Sequence, residues 1–167
     1  MEFSVKHLGI SWIKGRFTKL TGAIEFDPDN PEAGRVAADI AADSIWTGEE
    51  GRDKHLRSQD FFDVARHPSM TFRSSRVRRA SDTEFLIEGE LSMRGVAKPV
   101  TLTVSYPAIR AIPTGEGKPA DTRAGFTAKT MINRHDFGVS WDAPAGEGAT
   151  TAAGEVEVTL HIEAVKT

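Results

Sequence analysis

The strongest constraint in this chain is an alternation of period two. Glu84 to Met93 reads EFLIEGELSM, with Phe85, Ile87, Gly89, Leu91 and Met93 on one face and Glu84, Glu88 and Glu90 on the other. Leu86 is the one large apolar exception. Pro99 to Tyr106 sets Val100, Leu102, Val104 and Tyr106 against Thr101, Thr103 and Ser105. Gly154 to Glu163 sets Val156, Val158, Leu160 and Ile162 against Glu155, Glu157, Thr159, His161 and Glu163. Successive side chains of a strand point to opposite faces, so these segments predict strands with one buried and one wet face. Glu2 to Ile10, Ala23 to Asp27, Arg35 to Ile45, Met70 to Val77 and Arg123 to Asn133 also fit extended chain.

The total is roughly eight strands, divided by turn-rich stretches such as DPDNPEAG (27–34) and IPTGEGKPAD (112–121). The expected class is all-β, either a sandwich or a closed antiparallel barrel, in one domain over residues 1–167. Thr47 to Phe62, TGEEGRDKHLRSQDFF, breaks the period and is polar until Leu56, Phe61 and Phe62. It predicts a short helix at about residues 52–58, set against one end of a barrel.

Two of the inward faces are thin: Val36, Ala38, Ile40 and Ala42 on one strand, and Phe126, Ala128, Thr130 and Ile132 on another. An eight-stranded barrel is just wide enough to be filled by side chains or to hold one slim ligand, and small inward residues favour the ligand. HLGISWIKGRF concentrates Leu8, Ile10, Trp12, Ile13 and Phe17. That much apolar surface predicts a segment folded over a barrel mouth.

Composition narrows the function. Hydrophobic residues are 39% and charged residues 27%, which is ordinary globular composition. The net charge of -3 gives no global basic field for a nucleic-acid backbone. There is no cysteine, which excludes disulfides, thiolate nucleophiles and Cys-based zinc sites. No stretch approaches the roughly 18 apolar residues of a membrane-spanning helix. MEFSVKHLGI lacks the pattern of a secretory signal, so the expected compartment is the cytoplasm, or the periplasm or exterior if a leader has been removed.

The chemistry-bearing motifs are weak. Asp136-Phe137-Gly138 has the letters of a kinase metal motif, but the phosphate loop, the strand lysine and the catalytic loop are missing. Gly115-Glu116-Gly117-Lys118 is half a phosphate loop followed by Pro119 and reads as a hairpin connection. His7, His55, His67, His135 and His161 show no ligand spacing, so no metal site is expected. Ser44, Ser58 and Ser69 are nucleophiles by type only, and no Gly-x-Ser-x-Gly elbow occurs. Asp60 and Asp63 read equally well as caps. Arg73, Arg76, Arg78 and Arg79 form either a solvated, edge-protecting strand face or a site for an anionic head group.

Taken in order, the motifs carry a resemblance. Phe3-Ser4-Val5-Lys6-His7-Leu8-Gly9, Gly15-Arg16-Phe17 and Gly22-Ala23-Ile24-Glu25-Phe26-Asp27 open it. Its most specific part is Arg52-Asp53-Lys54-His55-Leu56, Ser58-Gln59-Asp60-Phe61-Phe62-Asp63 and His67-Pro68-Ser69-Met70-Thr71-Phe72. Gly89 to Val100 and Ile132-Asn133-Arg134-His135-Asp136-Phe137-Gly138 complete it. The chain resembles YceI-like proteins over nearly its whole length. The resemblance implies a lipocalin-like, extended antiparallel barrel whose tunnel takes a polyisoprenoid or similar long-chain lipid. It also implies a homodimer, and a binding role as carrier or store with no catalytic residue and no cofactor. An enzyme acting on a bound lipid and a ligand-free structural stress protein are the alternatives.

On such a barrel the expected lining comes first from Phe3, Val5, His7, Ile10, Ile13 and Phe17. Ile40, Leu56, Phe61, Phe62 and Phe72 follow, then Phe85, Ile87 and Leu91. Phe126, Ala128, Ile132, Arg134 and Phe137 complete it. Alternation turns Arg134 inward if Ile132 is inward, and an inward arginine needs a partner. Asp136 and the acids of residues 52–63 are the structural candidates, and a ligand phosphate or carbonyl is the functional one. Phe137 would pack under the mouth and Gly138 would allow a bend.

Overall fold

The alternating segments form one antiparallel sheet. The structure is a computed structural model and describes residues 1–27, 29–113, 120–143 and 151–166. The Gly115–Lys118 stretch therefore lies outside the described residues. The strands are β1 (Glu2–His7), β2 (Ser11–Phe17), β3 (Leu20–Glu25), β4 (Arg35–Ala41), β5 (Ile45–Trp46), β6 (Ser69–Arg79), β7 (Glu84–Met93), β8 (Val96–Ile112), β9 (Asp121–Asn133) and β10 (Ala152–Val165). Their order is β3-β4-β6-β7-β8-β9-β10-β1-β2-β5. Among the described residues ten strands stand where about eight were expected, because the chain from Glu2 to Phe17 folds as two strands and Ile45–Trp46 adds a two-residue edge.

Among the described residues no ladder joins the edge strands β3 and β5. The corner between β2 and β3 is instead tied to Ser44. Thr18 N donates to Ser44 O at 3.1 Å, and Lys19 N donates to Ser44 Oγ at 3.1 Å. Phe17, Ile40 and Ile45 pack together behind this corner. One cavity is lined by residues from β3 at one edge through to β2 near the other, so the sheet curls around a common interior.

The short helix is α1 (Glu50–Arg57), one to two residues ahead of the expected span. The Glu49 carboxylate caps it, accepting from Gly51 N at 2.8 Å and Arg52 N at 2.6 Å. This satisfies backbone donors that a helix start otherwise leaves orphaned. Buried Asp53 accepts from Thr47 N at 2.9 Å and fixes α1 against the end of β5.

The hairpin of β1 and β2 corrects one expectation. Leu8 and Gly9 both have positive φ, 51° and 72°, and Ile10 N donates to His7 O at 3.1 Å. That is a tight three-residue connection, Leu8 to Ile10, and it carries its side chains away from the interior. Ile10 is 84% exposed, and Leu8 and Trp12 are exposed too. Only Ile13 and Phe17 of the apolar group face inward, so the segment does not fold over the mouth as a lid.

Arg73, Arg78 and Arg79 of the basic run on β6 are engaged by neighbouring strands, and Arg76 is exposed. Arg73 pairs with Asp39 at 2.8 Å and donates to Ala38 O. Arg78 pairs with Glu88 at 2.6 Å, and Arg79 lies over the Phe85 ring. The solvated-face reading fits these contacts.

Candidate functional site

The inward face of β10 sets the scale of the site. Ala152, Val156, Val158, Leu160, Ile162 and Ala164 all line the cavity. From 152 to 164 is twelve residue steps, or about 40 Å of strand at roughly 3.3 Å per residue. The cavity volume is about 1210 Å³. Small-molecule sites usually hold about 300–1,000 Å³, so this one suits a larger guest.

The lining is continuous and apolar. At one end Phe17, Phe61, Phe62 and Met70 pack with Phe3, Leu20 and Leu56. At the other, Phe72, Phe85, Ile87, Phe126 and Ala128 pack with Ile24, Phe26 and Ile162. Leu91 and Val100 touch both groups. Val5, Ile13, Ile24, Val156 and Ile162 point inward yet stay half-exposed. They keep that exposure because the space in front of them is empty.

Glycine makes room for two of the rings. A Cβ on Gly89 would stand 2.5 Å from both the Phe72 ring and Arg73 O. A Cβ on Gly15 would collide with the Phe3 ring. Phe72 and Phe3 can therefore lie flat along the cavity wall.

Seventeen of the expected residues line this cavity: Phe3, Val5, His7, Ile13, Phe17, Ile40, Leu56, Phe61, Phe62, Phe72, Phe85, Ile87, Leu91, Phe126, Ala128, Ile132 and Arg134. Two do not. Ile10 sits on the exposed hairpin turn. Phe137 is 2% exposed, but it is enclosed in the wall with Val139 and Met93 and is absent from the lining. The 3-10 turn over Arg134–Phe137 ends the β9 alternation and rotates Phe137 into the wall, and Gly138, with φ 72°, closes that turn.

Arg134 faces inward, as alternation requires, but Asp136 is not its partner. Its Nη2 pairs with Asp142 Oδ1 and donates to Ala152 O at 2.9 Å. Nη1 donates to Val139 O at 2.8 Å and Trp141 O at 3.1 Å, and Nε donates to Ala153 O at 3.0 Å. All five guanidinium N–H groups are taken. Arg134 thus binds the start of β10 to the segment after β9 and has no donor left for a ligand. No spacing rule in the sequence marks Asp142.

The cavity is chemically unequal at its ends. His7, opposite Ala152 in the ladder, lies at the Arg134 end. So do His55 and Trp141, whose rings stand 4.6 Å apart, and Arg52, one helical turn before His55. Trp141, Arg52 and Thr47 are lining residues that the sequence reading missed. Glu25, Arg35 and Glu163 line the other end, beside Phe26 and Ile162. There Arg123 bonds both Glu163 and Asp121, which raises the Arg123 pKa above its ordinary value through the Glu163 hydrogen bond first. Among the described residues no group of His, Asp and Glu is arranged to hold a metal ion. No helix among them is long and apolar enough to cross a membrane.

Comparison with known proteins supplies the lineage. The model of the YceI-like domain matches residues 1–164. The chain belongs to the YceI-like family. A UPF0312 protein of Pseudomonas aeruginosa (strain LESB58) is 38% identical over 167 residues, 99% of this chain and 81% of that protein. One from Azotobacter vinelandii is 36% identical, with 99% and 81% covered. Among solved structures, this YceI-like chain is similar to a Campylobacter jejuni YCEI protein, with a TM-score of 0.79, 26% identity, and 97% and 90% covered. Two more distant structures share the fold. Burkholderia cenocepacia BcnA has a TM-score of 0.83 at 23% identity, covering 98% and 94%. A polyisoprenoid-binding domain from Saccharophagus degradans has a TM-score of 0.67 at 18% identity, covering 97% and 90%.

Proposed function

We propose that this YceI-like protein binds one long apolar chain molecule of the polyisoprenoid type inside its barrel, as a carrier or store, without catalysing a reaction on it. The observation that carries this reading is the continuous apolar lining of a cavity of about 1210 Å³, whose inward valines and isoleucines are left half-exposed. An apolar void of that size gives up packing that a folded interior otherwise makes, and a hydrocarbon guest restores it. A polyisoprenoid-binding domain with the same fold supports the choice of ligand class.

The energetics require no catalysis. Each buried CH₂ contributes roughly 0.8 kcal/mol, so a few isoprene units suffice for micromolar affinity after ordering costs. The test is native mass spectrometry of freshly purified protein, followed by solvent extraction. The proposal expects a lipid of unchanged structure at one per chain, and the same spectrum would report the expected homodimer. A mass equal to the bare chain, with no lipid taken up on addition, contradicts it. Recovery of an altered lipid would favour an enzyme instead.

A further inference from the structure

The turn between β1 and β2 holds large apolar side chains in solvent. Ile10 is 84% exposed, Trp12 52% and Leu8 41%. A Cβ on Gly9, at the tip, would meet no atom within 4 Å. The turn is nonetheless held in shape. Leu8 N donates to Thr151 O at 3.1 Å, and Ile10 N donates to His7 O at 3.1 Å. Behind it the ladder of β1 and β2 runs from Glu2–Arg16 to His7–Ser11 without a register shift.

Below the tip the outer face turns basic. Alternation on β2 puts Trp12, Lys14 and Arg16 outward, and Lys6 stands opposite Trp12 on β1. The Arg16 guanidinium lies over the Trp46 ring at 4.6 Å, and Trp46 is exposed as well. From Phe3 to Ile24 the chain carries Lys6, Lys14, Arg16 and Lys19 and no Asp or Glu, although its net charge is -3. Among the described residues none of these four cations is in an ion pair. The exposed acids of this region lie to one side. Glu155 and Glu157 are on β10, beyond β1, and Glu2 is at the far end of β1 from the tip.

The apolar and basic parts are spaced for a bilayer. Trp12 to Lys14 is two steps of strand, about 7 Å at roughly 3.3 Å per residue. The apolar side of an interfacial anchor sinks about 5–10 Å into the boundary between head groups and acyl chains. Tryptophan favours that boundary, and cations stay among the anionic head groups. An isologous contact between two copies centred on this patch would instead bring like charges together.

We propose that the β1–β2 tip docks the protein on a membrane surface rich in anionic lipid, with Leu8, Ile10 and Trp12 inserted and Lys6, Lys14 and Arg16 on the head groups. The inference does not depend on what the cavity holds, because none of these six side chains lines it.

The experiment floats the protein with vesicles of phosphatidylcholine alone and of phosphatidylcholine mixed with phosphatidylglycerol, at low and high salt. Wild type should partition onto the mixed vesicles about tenfold more strongly than onto the neutral ones, and the difference should shrink as salt rises. Ile10→Ser combined with Trp12→Ser should lower partition onto the mixed vesicles by about tenfold. Lys6→Gln combined with Lys14→Gln should lower it by about tenfold and flatten the salt dependence. Both pairs should keep the wild-type melting temperature and farnesol affinity.

Failure of wild type to float with the mixed vesicles overturns the proposal, and so does equal partition onto neutral ones. Partition retained by both double variants also overturns it and would put the contact on another face. A change from dimer to monomer in Ile10→Ser with Trp12→Ser, read by sizing without vesicles, would mean that the tip joins two copies of the chain, and it too overturns the proposal. If that pair proves unstable, the lysine pair, which removes no apolar side chain, decides.

Discussion

Asp142 closes the Arg134 guanidinium inside the wall of the curled sheet, with four backbone carbonyls taking the remaining N–H groups. Arg134 is 6% exposed. Removing Arg134 leaves several carbonyls without their donor and takes the partner from Asp142, which is itself partly exposed; such unsatisfied groups typically cost about 1–3 kcal/mol. Arg134→Gln should therefore lower the urea midpoint sharply. Stability within about 0.5 kcal/mol of wild type would show that this network is not what holds the start of β10.

Alternation on β7 gives a paired test. Ile87 is buried on the cavity face, while Glu88 points outward and pairs with Arg78. Ile87→Asp should abolish either the fold or lipid uptake, because an unpaired charge in an apolar cavity is costly. Glu88→Gln loses a half-exposed ion pair and should change stability by only about 0–1 kcal/mol. Comparable loss of uptake and melting temperature in both variants would contradict the assigned faces.

Gly89 should resist even a methyl group. A Cβ there meets backbone at Arg73 O as well as the Phe72 ring, and backbone cannot swing aside. Overpacking of this kind typically costs about 1–3 kcal/mol, so Gly89→Ala should be destabilised by that amount in denaturant melts. Ile10→Ser, on the exposed turn, should stay within about 0.5 kcal/mol. A reversal of this order would place the hairpin, not the β6–β7 contact, in the packed interior.

Much of this was legible in the sequence because period two survives in β7, in β8 as far as Ser105, in β9 and in β10, where inward and outward residues alternate as the letters do. It failed where the backbone departs from that period. On β6 the register shifts between Ser74 and Arg76, so Phe72 and Val77 are both buried although they lie five positions apart. After Asn133 the chain turns into a 3-10 helix, which takes Phe137 out of the lining. The turn at Leu8 and Gly9 exposes Ile10, because apolar composition cannot reveal which way a tight hairpin connection points. The Asp142 partner of Arg134 is a tertiary contact eight residues away with no local signature.

Ala128 tests the empty volume. Its small side chain lies between Val104 of β8 and Leu160 of β10 and lines the cavity. Ala128→Leu should shorten or exclude the ligand while the protein stays folded, read as a lower lipid mass in the native spectrum with an unchanged or raised melting temperature. A bound lipid of unaltered length would move the guest away from β9.

If the cavity holds the lipid tail, affinity depends on tail length. A series of prenyl phosphates with one head group and increasing numbers of isoprene units should be titrated into lipid-free protein. Affinity should rise with each added unit, by up to roughly 0.8 kcal/mol per newly buried CH₂, and then level off once the cavity is full. Ala128→Leu should bring that plateau to a shorter chain. An affinity independent of tail length, in wild type and variant alike, would contradict the claim that the cavity is the binding site.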